Sequence, residues 1–108
     1  TPPFLSSPEA ARVRARLLSD SPANWTAGWE AIAGHDALGR LGSLTMPALV
    51  IAGELDTATP LEAKRELAAA IPGGKLTILR NAPHMMHLEC PDPFAEAVSD
   101  FLLCTGQA

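Results

Sequence analysis

Apolar positions follow two different rhythms along this 108-residue chain. Up to about residue 43 they recur at helical spacing, and each run is introduced by a serine followed by proline. Ser7-Pro8-Glu9 supplies a capping hydroxyl, a proline suited to the first helical position and an acid for the first turn; residues 10–18 continue with good helix formers. Ser21-Pro22 repeats the signature ahead of Trp25, Trp29 and Ile32, and Gly34 ends that run. A short third helix is predicted over 37–41.

The rhythm changes at Leu44-Thr45-Met46-Pro47, where proline breaks the helical pattern and introduces an unbroken apolar run, Ala48-Leu49-Val50-Ile51-Ala52, closed by Gly53. Such a run reads as a parallel strand buried on both faces. Thr59-Pro60 then predicts a capped helix over 61–71, stopped by Pro72-Gly73-Gly74, and residues 75–80 predict a second strand. A loop over 81–89 leads to Pro91-Asp92-Pro93, with Asp92 as the expected cap of a last helix over 94–103. Strand, helix, strand, helix implies an α/β fold with a right-handed crossover and a parallel sheet. The expected organisation is a helical segment over 1–43 and a βαβα core over 44–108. Two parallel strands need further strands and cover on both faces, so the pattern points to a partner segment.

Composition narrows the classes. An apolar fraction of 47% is ordinary for a globular domain, and a net charge of −4 with no Lys/Arg run argues against nucleic acid as a partner. The longest apolar stretches are far shorter than the roughly 20 residues of a spanning helix, so no membrane partner is expected either. Cys90 and Cys104 fit neither a metal spacing nor a dense disulfide framework. They read as free thiols in a reducing compartment, and a cytoplasmic location is expected.

In open α/β sheets chemistry collects in the loops beyond the carboxyl ends of the strands. The first such loop, residues 53–60, carries Asp56; the second, residues 81–87, carries His84. Neighbouring strands run about 4.8 Å apart, so the two side chains can meet. A carboxylate that fixes the tautomer of an imidazole, and an imidazole that takes a proton, are what a hydroxyl or thiol nucleophile needs.

The stretches MPALVIAGELDTATP (46–60) and IPGGKLTILRNAPHMMHLECPDPFAEAVSDFL (71–102) resemble the C-terminal part of the α/β-hydrolase fold. The resemblance covers 44–103. It implies that Asp56 is the acid and His84 the base of a catalytic triad, in the chain order known for that fold. LLSDSPANWTAGWEAIAGHDALGRL (17–41) is similar to the cap-exit segment of 3-oxoadipate enol-lactonase-like members. Two departures stand out. No G-x-S-x-G nucleophile elbow and no glycine-rich oxyanion loop occur in the chain, and Pro83 stands before the histidine where the family usually has glycine. The resemblance therefore implies a C-terminal half or subunit of a serine-type hydrolase acting on a small-molecule ester or lactone. It would act only with an N-terminal α/β-hydrolase segment that carries the nucleophile, as in a heterodimer. The alternative is a non-catalytic binding or assembly half.

Further candidates weigh less. Trp25 and Trp29, one helical turn apart, suit simple packing or the roof of an apolar substrate cavity. Met85 and Met86 suit a pocket wall or the core, and His87 suits the pocket or a hydrogen bond within its own loop; Met85, His87 and the two tryptophans are the candidate substrate-binding residues. His84, His87, Glu89 and Cys90 are metal-ligand types, yet their spacing fits no metal motif, so neither metal nor cofactor is expected.

Overall fold

In a computed structural model the chain is described over residues 1–106. It divides into two compact units, Thr1–Ala37 and Leu38–Ala108.

The first unit is helical: α1 (Pro2–Leu5), α2 (Pro8–Ser19) and α3 (Pro22–Ala33). Both serine–proline starts act as predicted, since the hydroxyls of Ser7 and Ser21 accept the N–H groups of Ala10 and Asn24. Gly34 caps the end of α3. No residue of these helices is buried, and their largest apolar side chains line an open groove of about 200 Å³ between α2 and α3, with Leu17, Trp25, Trp29 and Ile32 in its wall. The indole Nε1–H of Trp25 reaches the carbonyl of Leu17 at 3.4 Å.

The second unit opens with a 3-10 helix, Leu38–Ser43, where the sequence predicts an α-helical turn. Its strands β1 (Leu49–Gly53) and β2 (Lys75–Leu79) pair in parallel, Val50 opposite Leu76 and Gly53 opposite Leu79. Between them runs α4 (Leu61–Ala70), and after them α5 (Met86–Glu89) and α6 (Pro91–Thr105). The two-residue side-chain period of a strand divides the core between the faces of the sheet. Val50 packs with Ala68 and Ile71 of the α4 region, joined by Leu41, Leu44 and Leu76. Ile51 and Leu79 pack with Ala82, Met86, Phe94 and Ala97.

Two expected caps are not made. Pro60, not Thr59, occupies the cap position of α4, and no side chain bonds there. The cap position of α6 is Cys90, again without a side-chain bond; Asp92 lies inside the first turn, where its charge faces the positive end of the helix. The single turn α5 falls within the stretch predicted as loop, too short to show a period of its own. No helix is long and apolar enough to cross a membrane among the described residues.

Candidate active site

The site forms where the loops after β1 and β2 close over the end of the sheet. Gly53 makes the closure sterically feasible: a Cβ at this position would lie 2.4 Å from the carbonyl oxygen of Ala82 and 2.8 Å from that of Pro83. Only glycine lets the two backbones approach this closely. Hydrogen bonds then stitch the loops together. The N–H of Glu54 donates to the carbonyl of Leu79 at 3.0 Å, and that of Leu55 to Ala82 at 2.9 Å. The Glu54 carboxylate accepts the N–H of Asn81 at 2.9 Å, and Asn81 turns the chain with a positive φ of 54°, a conformation asparagine tolerates better than most residues. With the loops so fixed, the side chains at 56 and 84 face each other.

The Asp56 side chain is 2% exposed, and both of its oxygens are engaged. Oδ1 accepts the backbone N–H groups of Ala58 at 2.9 Å and Thr59 at 3.0 Å, the Asx-type turn typical of aspartate in loops. Oδ2 accepts the hydroxyl of Thr59 at 2.6 Å. The Nδ1 of His84 lies 3.0 Å from Oδ2 and 3.1 Å from Oδ1. Burial opposes ionisation of Asp56, but the Thr59 hydroxyl, the His84 ring and the two backbone N–H groups outweigh it and hold the carboxyl well below the usual carboxylate range. An ionised carboxylate only accepts, so Nδ1 must carry the proton between them. That leaves the lone pair of the neutral ring on Nε2, and the ring is half-exposed at 52%. The arrangement is chemically able to take up a proton at Nε2.

Asp56 and His84 are therefore brought together as their loop positions suggest. Met85 follows half-buried at the start of α5, and His87 is exposed on α5, its ring edge-on to Phe94 at 6.1 Å between centroids. Trp25 and Trp29 lie on α3 in the groove of the first unit. Among the described residues no group of three His, Cys, Asp or Glu side chains is placed to hold a metal ion. Two contributors went unnoticed in the sequence, the Thr59 hydroxyl and the Glu54 clamp. The spacing Asp56-x-x-Thr59 is a signal for the first, because a serine or threonine three residues beyond the aspartate of an Asx turn can fold back on its carboxylate. Nothing in the pattern marks Glu54, whose partner lies 27 residues away.

A profile of the alpha/beta hydrolase fold matches residues 3–91. The chain belongs to the alpha/beta hydrolase fold family. Two solved structures are similar to it. A hydrolase from Pseudomonas aeruginosa PA01 is 33% identical with a TM-score of 0.85, over 94% of this chain and 39% of that one. The enol-lactonase from Burkholderia xenovorans LB400 is 39% identical with a TM-score of 0.65, over 68% of this chain and 28% of that one. The resemblance to enol-lactonase-like hydrolases read from the sequence is thus supported. Among curated relatives, 2-hydroxy-6-oxononadienedioate/2-hydroxy-6-oxononatrienedioate hydrolase 1 of Dechloromonas aromatica (strain RCB) is 40% identical over 63 residues, and hydrolase 2 of that name from Pseudomonas putida is 35% identical. Each alignment covers 58% of this chain and 22% of the relative, so the chain spans about a fifth of the length of these curated relatives.

Proposed function

We propose that this α/β-hydrolase chain supplies the acid–base pair of a hydrolase that acts on an ester or lactone. The observation that carries the proposal is the Asp56–His84 pair itself: a buried carboxylate, pinned by three donors besides the ring, 3.0 Å from Nδ1. The Asx turn and the Thr59 hydroxyl account for burying the carboxylate. What supports catalysis over a non-catalytic scaffold is that Nδ1 of a half-exposed His84 ring is set against it, leaving Nε2 open to a nucleophile.

In the proposed reaction a serine hydroxyl on a segment outside these 108 residues attacks the substrate carbonyl carbon, and its proton passes to Nε2 of His84. The C–O bond to the leaving group then breaks as Nε2 returns the proton to the departing oxygen, leaving an acyl-serine. Water repeats the two steps and restores the serine. Asp56 stays ionised throughout and stabilises the imidazolium formed in each half. The oxyanion donors belong to the same outside segment as the nucleophile, making the working unit heterodimer-like or a longer polypeptide. Met85 and His87 are proposed substrate contacts beside His84, and Trp25 and Trp29 are proposed, within the first unit alone, as an apolar contact surface in their own groove. Cytoplasmic residence suits the two free thiols, Cys90 and Cys104.

The test is labelling of the assembled protein with a fluorophosphonate together with ester turnover. His84→Ala is expected to abolish turnover while assembly, followed by gel filtration, is unchanged; full activity in that variant would place the base elsewhere. A second reading has its own observation: the curated relatives are named for 2-hydroxy-6-oxononadienedioate. Assaying an oxo-dicarboxylate of that kind beside an enol lactone decides between the two, through the ratio of their kcat/KM values.

A further inference from the structure

Thr59 stands one residue before the cap position of α4, in the stretch where a threonine hydroxyl could serve the start of the helix. It does not do so. The hydroxyl instead points back over three residues and donates to Oδ2 of Asp56 at 2.6 Å, the shortest of the bonds this carboxylate accepts. The backbone donors from Ala58 and Thr59 both go to Oδ1. Among the described residues, Oδ2 is therefore served by the Thr59 hydroxyl and His84 alone. Two consequences follow from this division. Rotation of the carboxylate about its Cβ–Cγ bond would break the bond at Oδ2, so the hydroxyl holds the plane in which both oxygens meet the ring. The hydroxyl also draws electron density from the oxygen nearer to Nδ1, which tempers the pull of the carboxylate on the ring proton.

We propose that Thr59 is a positioning residue for the Asp56–His84 pair, setting both the orientation of the carboxylate and the basicity that the pair presents to the nucleophile. This rests on the reading of that pair as the acid–base machinery, and the readouts below separate the two. In this proposal Thr59 acts through Asp56, the group its hydroxyl reaches.

The experiment compares wild type with Thr59→Val, which keeps the branched shape and removes the donor, and Thr59→Ser, which keeps the donor, all in the intact assembled protein. Thr59→Ala provides a second hydroxyl-free variant should valine not be accommodated. Two quantities are read: the pH dependence of kcat/KM, and the downfield proton NMR resonance of the His84 Nδ1–H. Loss of the hydroxyl is expected to lower kcat about tenfold with KM nearly constant. The acid limb should move to higher pH by about half a unit, because a carboxylate with one donor fewer holds protons, its own and the ring's, more tightly. The Nδ1 proton resonance should shift, and Thr59→Ser should restore all three. An unchanged acid limb and resonance in the hydroxyl-free variants would overturn the proposal even if activity fell, since a merely structural role predicts that pattern. So would serine behaving like valine. If wild type shows no turnover but the resonance shifts in valine and returns in serine, the positioning role stands and the hydrolase reading falls.

Discussion

Asp56 satisfies two demands with the same pair of oxygens. As a loop aspartate it accepts the N–H groups two and three residues ahead, and in doing so it arrives buried, ionised and aimed at His84. The structural habit of the residue is thus the means by which the ring is oriented. Replacing it with asparagine keeps the size but offers an NH2 where Nδ1–H needs an acceptor, which favours the wrong tautomer. We expect Asp56→Asn to lower kcat by three to four orders of magnitude, on the order of the effect known for the equivalent change in a Ser-His-Asp triad, measured by steady-state ester hydrolysis. The same carboxylate makes stability depend on pH. Its pKa is lower folded than unfolded, so below the ordinary value near 4 the unfolded chain binds more protons. The stabilisation is complete above that value and is lost as pH falls through the folded pKa. Urea unfolding of the assembled protein at pH 6 and pH 3 should show a lower midpoint in acid, with a smaller drop in Asp56→Asn.

At the scale of elements, the ends of β1 and β2 matter more than their lengths. Gly53 lies where the loop after β2 crosses, and its missing side chain is the space that the carbonyls of Ala82 and Pro83 occupy. Both obstacles are backbone, so a methyl group cannot be absorbed by a rotamer change. Gly53→Ala is expected to cost roughly 1–3 kcal/mol by analogy with overpacking and to open the Asp56–His84 distance, visible as a lower thermal midpoint together with reduced turnover. Glu54→Ala removes the clamp on the N–H of Asn81 from an exposed position. It should leave the midpoint of the assembled protein nearly unchanged while loosening His84, seen as faster amide exchange at Asn81, Ala82 and His84. The strands, α2, α3 and the facing positions of 56 and 84 were legible in the sequence because burial on both faces, serine–proline starts and strand-end loops leave local marks. What was not legible depends on contacts across the chain. Thr59 reads as a helix cap until the carboxylate competing for its hydroxyl is seen, Asp92 reads as a cap until α6 is found to begin at Pro91, and the Glu54 clamp joins two loops that share no pattern.

The described residues of the second unit make a sheet of two strands, each with one edge unpaired by backbone. Its most deeply buried apolar residues are alanines, Ala52 at 1% and Ala82 at 0%, whereas no large side chain among the described residues is fully buried. A two-stranded parallel sheet with so little large-residue core is marginal on its own, and open parallel edges invite pairing with another strand. In the first unit Trp29 and Ile32 are 62% and 64% exposed. Both units thus present apolar surface or strand edge, which the proposed outside segment would have to cover; the chain spans 39% of its Pseudomonas aeruginosa neighbour. The 108 residues expressed alone are therefore expected to bind a hydrophobic dye, to unfold without a sharp transition and to hydrolyse no ester. Addition of a nucleophile-bearing α/β-hydrolase segment should restore a cooperative transition whose midpoint rises with the concentration of that segment, as binding to the folded form requires. A monomeric isolated chain that unfolds sharply and ignores the added segment would show that the two strands are sufficient, and the source of the nucleophile would then have to be sought in a different kind of partner.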